Sequence, residues 1–213
     1  MPATRVNDIN IYYEVHGEGE PLVLIGGLAN DITDYTDHTK IIPELSRNHR
    51  VIAFDNRGVG RTDKPDIPYS IELMAEDTAG LLDALGVGKA HVLGISLGGR
   101  IALELTLRHP NMVSKLILVS TGPRVVKSWR RHAVFDVLQR LPFFKGRYPQ
   151  PYYAFTRQVE ASSSYDCTDR LSEIQAPTLI MHGKKDRSAP YELAEETHQR
   201  IRGSEVMTFG GGP

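Results

Sequence analysis

The chain has 213 residues, enough for one domain with a sizeable core or for one domain carrying a small insertion. With 25 basic and 26 acidic residues its net charge is −1, and hydrophobic content is 40%. This balance gives no footing for nucleic acid or a strongly anionic surface as partner. The single cysteine, Cys167, excludes an internal disulfide and points to a reducing compartment. Met1–Tyr13 lacks a signal-peptide pattern, and no apolar run is long enough to span a bilayer, so a cytoplasmic protein without a membrane partner is expected.

Val6 to Val15 alternates apolar and polar residues around Asn7-Asp8, which reads as a hairpin. Leu22-Val23-Leu24-Ile25 is a short apolar run of the kind buried on both sheet faces, ended by Gly26-Gly27. Tyr35 to Leu45 is expected to be a helix. Val51-Ile52-Ala53-Phe54 is the next buried strand, and the turn Asp55-Asn56-Arg57-Gly58-Val59-Gly60 follows it. Asp55 and Asp63 are read as holding that turn near Arg57. Ser70 caps a helix that runs to Leu85 and stops at Gly86.

Ala90 to Gly94 is a strand, Leu97 to Arg108 a helix, and Lys115 to Ser120 and Thr178 to His182 are strands. Pro190 opens a helix to Arg202, and Glu205 to Phe209 is a last strand. Strands alternating with helices at this spacing predict an α/β fold with a mostly parallel sheet and helices on both faces.

The rhythm breaks at Arg124–Cys167. Ser128 to Arg140 and Pro151 to Ala161 read as helices there, and nine of the chain's 16 aromatics lie in the segment with eight Lys/Arg against three Asp/Glu. A lid over a pocket at the carboxyl edge of the sheet is one reading. Additional core with a solvated basic face is the other. As a lid, the segment offers Trp129, Phe135, Phe143, Phe144, Tyr152 and Tyr153 to a ligand.

Ala90–Leu93 runs directly into Gly94-Ile95-Ser96-Leu97-Gly98-Gly99, where a helix begins. A strand turning sharply into a helix presents the serine oxygen at a strained tip. Gly94 and Gly98 leave room for the bend, and the Leu97 N–H at the helix start is a donor for an oxyanion. A phosphate loop is a poor alternative, because no Gly-Lys-Ser/Thr follows.

With these residues the chain resembles the α/β-hydrolase family, in its esterase, enol-lactonase and cofactor-free haloperoxidase branch. The resemblance covers Val6–Thr121 and Pro177–Phe209. It rests on the loop after Ile25, the Asp55–Gly60 turn, the serine elbow and Thr178-Leu179-Ile180-Met181-His182-Gly183-Lys184-Lys185-Asp186. It implies residues 1–123 and 168–213 as the hydrolase core and 124–167 as a short helical cap. It implies Ser96 as nucleophile, Leu28 and Leu97 amides as the oxyanion hole, and Asp186 as the acid. Gly26 stands where the family usually has histidine, which leaves a backbone donor intact.

The resemblance also implies a base histidine just beyond the last strand. The sequence there reads Gly210-Gly211-Gly212-Pro213, so the histidine is expected at or after Pro213, and the chain reads as shortened, without the family's closing helix. Among the eight histidines, His38 and His132 are the ones placed to approach the pocket. His182 takes a position outside the triad, His91, His109 and His198 read as structural, and His49 reads as solvated. A fragment, an impaired truncation and a base recruited across a homodimer all stay open.

The expected activity is hydrolysis of a small carboxylic ester or lactone through an acyl-enzyme, with no metal or nucleotide cofactor. Two other readings stand beside it: a catalytically impaired fold that binds ligands, and C–C bond hydrolysis or perhydrolysis with the same residues.

Overall fold

The computed structural model describes residues 2–126 and 148–212. Ser128–Arg140, with Trp129 and His132, and the aromatics Phe135, Phe143 and Phe144 lie outside the described residues. Eight strands form one sheet in the order β1-β2-β4-β3-β5-β6-β7-β8. They are β1 Ala3–Val6, β2 Ile9–His16, β3 Glu20–Ile25, β4 His49–Phe54, β5 Ala90–Ile95, β6 Val113–Val119, β7 Thr178–Gly183 and β8 Glu205–Phe209. The hairpin β1–β2 and the β2–β4 pair are antiparallel, and β4-β3-β5-β6-β7-β8 is parallel throughout.

The strands at the centre are apolar at consecutive positions because both faces are covered. Val23 and Ile25 of β3 face the same way as Ile52 and Phe54 of β4, packing with helices α2 Ile71–Ala84 and α3 Leu97–Arg108. Leu22, Leu24, Val51 and Ala53 face the opposite way and pack with Ile32, Tyr35 and Ile42. The period-two alternation of a strand thus divides one run of residues between two cores. Toward the other edge the second face thins out. Ile117, Val119, Leu179 and Met181 are only partly buried, and Met207 and Phe209 of β8 are exposed.

The single helix expected over Tyr35–Leu45 is broken in two. A π-helical turn spans Asp34–His38, Lys40 is left-handed at φ 59°, and a short helix α1 covers Ile41–Leu45. Pro43 is the reason. In one continuous helix its missing N–H would have to bond the Thr39 carbonyl and its ring would collide there, whereas in the first turn of a new helix neither problem arises. Ser70 does cap α2, its hydroxyl accepting the Leu73 N–H at 3.1 Å.

Asp55 and Asp63 hold the turn after β4, and Arg57 adds an anchor that the sequence did not mark. Arg57, fully buried, forms a two-point pair with Asp77 of α2 (2.7 and 2.8 Å) and a second with Asp8 of the β1–β2 turn (2.7 and 3.1 Å). Burial opposes the guanidinium charge, but the hydrogen bonds it donates to Asp77 and Asp8 outweigh that and raise the Arg57 pKa. Asp63 accepts from Asn10 (2.8 and 2.9 Å), and Asp55 from Ile32 and Arg61. Geometry decides the pairing. Two parallel N–H groups of Arg57 match a carboxylate held rigidly on α2, a site that the local sequence does not reveal.

Helix α4 (Tyr152–Ser164) follows Pro151, and α5 (Glu192–Arg200) lies between β7 and β8. Among the described residues no helix is long and apolar enough to cross a membrane.

Replacing Arg57 with Met strands the buried Asp77 carboxylate. Urea denaturation is expected to show a loss of about 3–5 kcal/mol for Arg57→Met. Asp8→Asn, at a carboxylate that is 52% exposed, is expected to cost under about 1 kcal/mol. Equal losses would show that the outer pair, not the buried one, holds the turn.

Candidate active site

Ser96 stands between β5 and α3 with φ 52° and ψ −112°. A non-glycine residue there costs on the order of 1–3 kcal/mol and persists only when its surroundings enforce it. Three contacts do so: the Ser96 N–H donates to Val119 O at 2.9 Å, and Ser96 O accepts the Thr121 hydroxyl at 2.7 Å and the Gly99 N–H at 3.0 Å. The glycines are required by packing. A Cβ on Gly98 would collide with the Ile25 carbonyl, one on Gly94 with the Gly98 carbonyl, and one on Gly99 with the Thr121 side chain.

The loop after β3 comes to the same place, since Gly98 abuts Ile25 and Gly26. Its backbone is held at nearly every residue. Gly26 O accepts Asn56 Nδ2 at 3.0 Å, and Gly27 N–H donates to the Tyr35 hydroxyl at 2.7 Å. Asn30 N–H closes a turn onto Gly27 O at 3.3 Å, and Ala29 N–H donates to Gln158 Oε1 at 3.3 Å. Burial raises the Tyr35 pKa well above the usual tyrosine range, so the phenol stays neutral as the acceptor for Gly27. Neither the Leu28 N–H nor the Leu97 N–H has an acceptor among the described residues.

A cavity of about 470 Å³ opens beside Ser96, lined by Leu28, Asn30, Tyr35, His38, Ile95 and Ser188 among others. That volume suits a small organic ligand. Ser188 ties the far wall to Asp186, which follows β7. Asp186 Oδ1 accepts the Ser188 hydroxyl and N–H, both at 2.7 Å, and the Ala189 N–H at 3.0 Å. Its other oxygen, Oδ2, is buried and has no hydrogen-bond partner among the described residues. His182, 3.7 Å from Oδ2, spends its Nε2–H on the Ala189 carbonyl at 2.8 Å. A buried carboxylate with one oxygen saturated and one empty is a receptor for an N–H group. After β8 the chain crosses this loop, and Lys185 N–H donates to Gly211 O at 3.0 Å.

The other histidines divide as follows. His38 lines the Ser96 cavity, its Nδ1 3.2 Å from Asp34 Oδ1. His91 and His109 pair with Glu20 and Glu76, and His198 contacts the Ser204 hydroxyl. His49 is half-buried rather than solvated, because it packs edge-on against His91 with ring centroids 5.8 Å apart. Tyr152 and Tyr153 point outward. Both are exposed, and the Tyr153 hydroxyl donates to Lys64 O at 2.6 Å. The inward stripe of α4 is Ala154, Phe155, Gln158 and Ala161, set by the helical period. Tyr35, Asn56 and Gln158 carry no local signal of their roles, since each acts on backbone in another element, 8, 30 and 129 residues away.

Residues 20–163 match the sequence profile of the alpha/beta hydrolase fold. The chain is 30% identical to a putative carbamate hydrolase, RutD, of Azorhizobium caulinodans, over 91% of this chain and 84% of that one. It is 31% identical to a 2-hydroxy-6-oxo-2,4-heptadienoate hydrolase of Pseudomonas putida, over 91% and 82%. It also superposes on the structure of an esterase from Exiguobacterium antarcticum with TM-score 0.84 and 28% identity, covering 99% of this chain and 91% of that one.

A methyl at position 98 has nowhere to go but into backbone. Gly98→Ala is expected to lower stability by about 3 kcal/mol or more in chemical denaturation. Gly86→Ala meets no atom and is expected to cost only about 1 kcal/mol, from its φ of 66°. Comparable losses would place the constraint in backbone conformation rather than in the close approach.

Proposed function

The chain belongs to the alpha/beta hydrolase fold family, and from that premise we propose that it is a serine hydrolase acting on a small carboxylic ester or lactone. The observation that carries the reading is the strained Ser96 at a cavity lined by Leu28, with the Leu28 amide and the adjacent Leu97 amide both without an acceptor among the described residues. In this reading Ser96 Oγ attacks the substrate carbonyl and the two N–H groups receive the developing oxyanion. The acyl-enzyme is then released by water. Asp186 Oδ2 takes the Nδ1–H of an imidazole whose Nε2 accepts the Ser96 proton and returns it to the leaving alkoxide.

The residue that supplies this imidazole is not assigned. A fold that holds a carbonyl ligand at Ser96 with little turnover is the second reading. The likeness to the Pseudomonas putida hydrolase supports carbon–carbon bond hydrolysis as another chemistry on the same residues. The aromatic content of residues 124–167 supports an apolar acyl or alcohol group, and their basic excess is compatible with an acidic one.

A fluorophosphonate is expected to label Ser96, with p-nitrophenyl butyrate hydrolysed by the protein and not by Ser96→Ala. Added free imidazole is expected to raise the rate, and Asp186→Asn to reduce it by up to about 10⁴-fold with the fold intact. Unchanged turnover in Asp186→Asn would remove that residue from the mechanism. Absence of both labelling and turnover in folded protein would leave the ligand-binding reading.

A further inference from the structure

Gln158 is fully buried on α4, yet each of its polar atoms reaches the core of the protein. Its Nε2 donates to the Arg57 carbonyl at 2.9 Å, 101 residues away in sequence. Its Oε1 accepts the Gln150 Nε2 at 3.1 Å and the Ala29 N–H at 3.3 Å, the latter across 129 residues. A buried amide satisfied at both ends is rigid, because loss of either partner strands a polar atom.

The partner at Ala29 matters most. Gly27 to Asn30 is a four-residue turn closed by the Asn30 N–H on Gly27 O, and Ala29, in its third position, has φ 61°. That position normally belongs to glycine or asparagine. An alanine left to itself relaxes to negative φ, which rotates the Leu28–Ala29 peptide and loosens the turn that carries Leu28 at the cavity wall. The Gln158 oxygen captures the Ala29 N–H and blocks that rotation.

We propose that Gln158 is a positioning residue for the oxyanion loop, holding the Gly27–Asn30 turn in the form that aims the Leu28 N–H at the carbonyl bound on Ser96. The proposal rests on the acyl-transfer reading above. It makes α4 a structural part of the oxyanion hole as well as a cover.

The test uses Gln158→Met, which keeps length and removes the amide, alone and combined with Ala29→Gly. With p-nitrophenyl butyrate, Gln158→Met is expected to lower kcat about 10- to 100-fold while KM stays within about threefold, as for damage to one oxyanion donor. Ala29→Gly adopts positive φ without penalty, so the double variant is expected to recover at least about fivefold in kcat. Hydrogen exchange of the Ala29 amide is expected to quicken about tenfold in Gln158→Met, with α3 unchanged. If methionine prevents folding, Gln158→Asn, which withdraws the amide by one methylene, is expected to give the same loss and the same recovery.

An unchanged kcat with unchanged Ala29 exchange overturns the proposal. So does a loss confined to KM, or one that Ala29→Gly does not repair. If the parent protein neither turns over ester nor takes up fluorophosphonate, the acyl-transfer reading fails instead. The exchange rate at Ala29 then decides by itself whether Gln158 holds the loop.

Discussion

The close approach of α3 to the end of β3 is the constraint on which the rest of the site depends. Gly98 lies against the carbonyl oxygens of Ile25 and Gly26, and Gly99 against Thr121. Only with the helix this near the sheet does the chain have to turn through the unfavourable conformation of Ser96. The same nearness brings the first free amide of α3 beside the loop after β3. The strain at Ser96 and the nearness of two backbone donors are consequences of one packing event, offset by the apolar cores on either side of β3 and β5.

Around that contact the protein uses neutral hydrogen bonds to shape backbone and reserves its buried charges for anchoring. Tyr35, Asn56 and Gln158 each fix one peptide of the loop at residues 26–29. Arg57 with Asp77, and Asp55 with Arg61, hold the neighbouring turn. Burial raises the Asp55 pKa, opposed by the N–H groups of Arg61 and Ile32, so this carboxylate contributes a shared acceptor between two loops. The separation is physically sensible. A neutral donor near a developing oxyanion does not compete with it, whereas a loose charge there would distort the field in which the amides act.

Asp186 shows the opposite design. One of its oxygens accepts three hydrogen bonds from its own loop and is immobile, while the other is buried with no hydrogen-bond partner among the described residues. An empty acceptor in the interior is costly unless a donor is meant to meet it. The chain beyond β8 passes directly over this loop, held there by the amides of Lys184 and Lys185.

Much of this was legible in the residues. The alternation of apolar runs with amphipathic stretches defines the parallel sheet, because strand and helix periods are local properties. Gly94-Ile95-Ser96-Leu97-Gly98 identifies the elbow because only glycine tolerates those contacts. The exceptions are instructive. Pro43 broke a helix that periodicity joined, and Arg57 paired with Asp77 and Asp8, which no local pattern marks. Tyr152 and Tyr153 turned outward while Gln158, an unremarkable polar residue in sequence, turned inward. The sequence by itself determined the fold, the serine and the order of the elements, all set by spacing along the chain. Only the tertiary structure decided which amides lack an acceptor among the described residues, which oxygen of Asp186 is left over and which side chains hold the loop after β3. Those depend on three-dimensional packing, with Gln158 reaching residues 101 and 129 positions away, for which no local pattern exists.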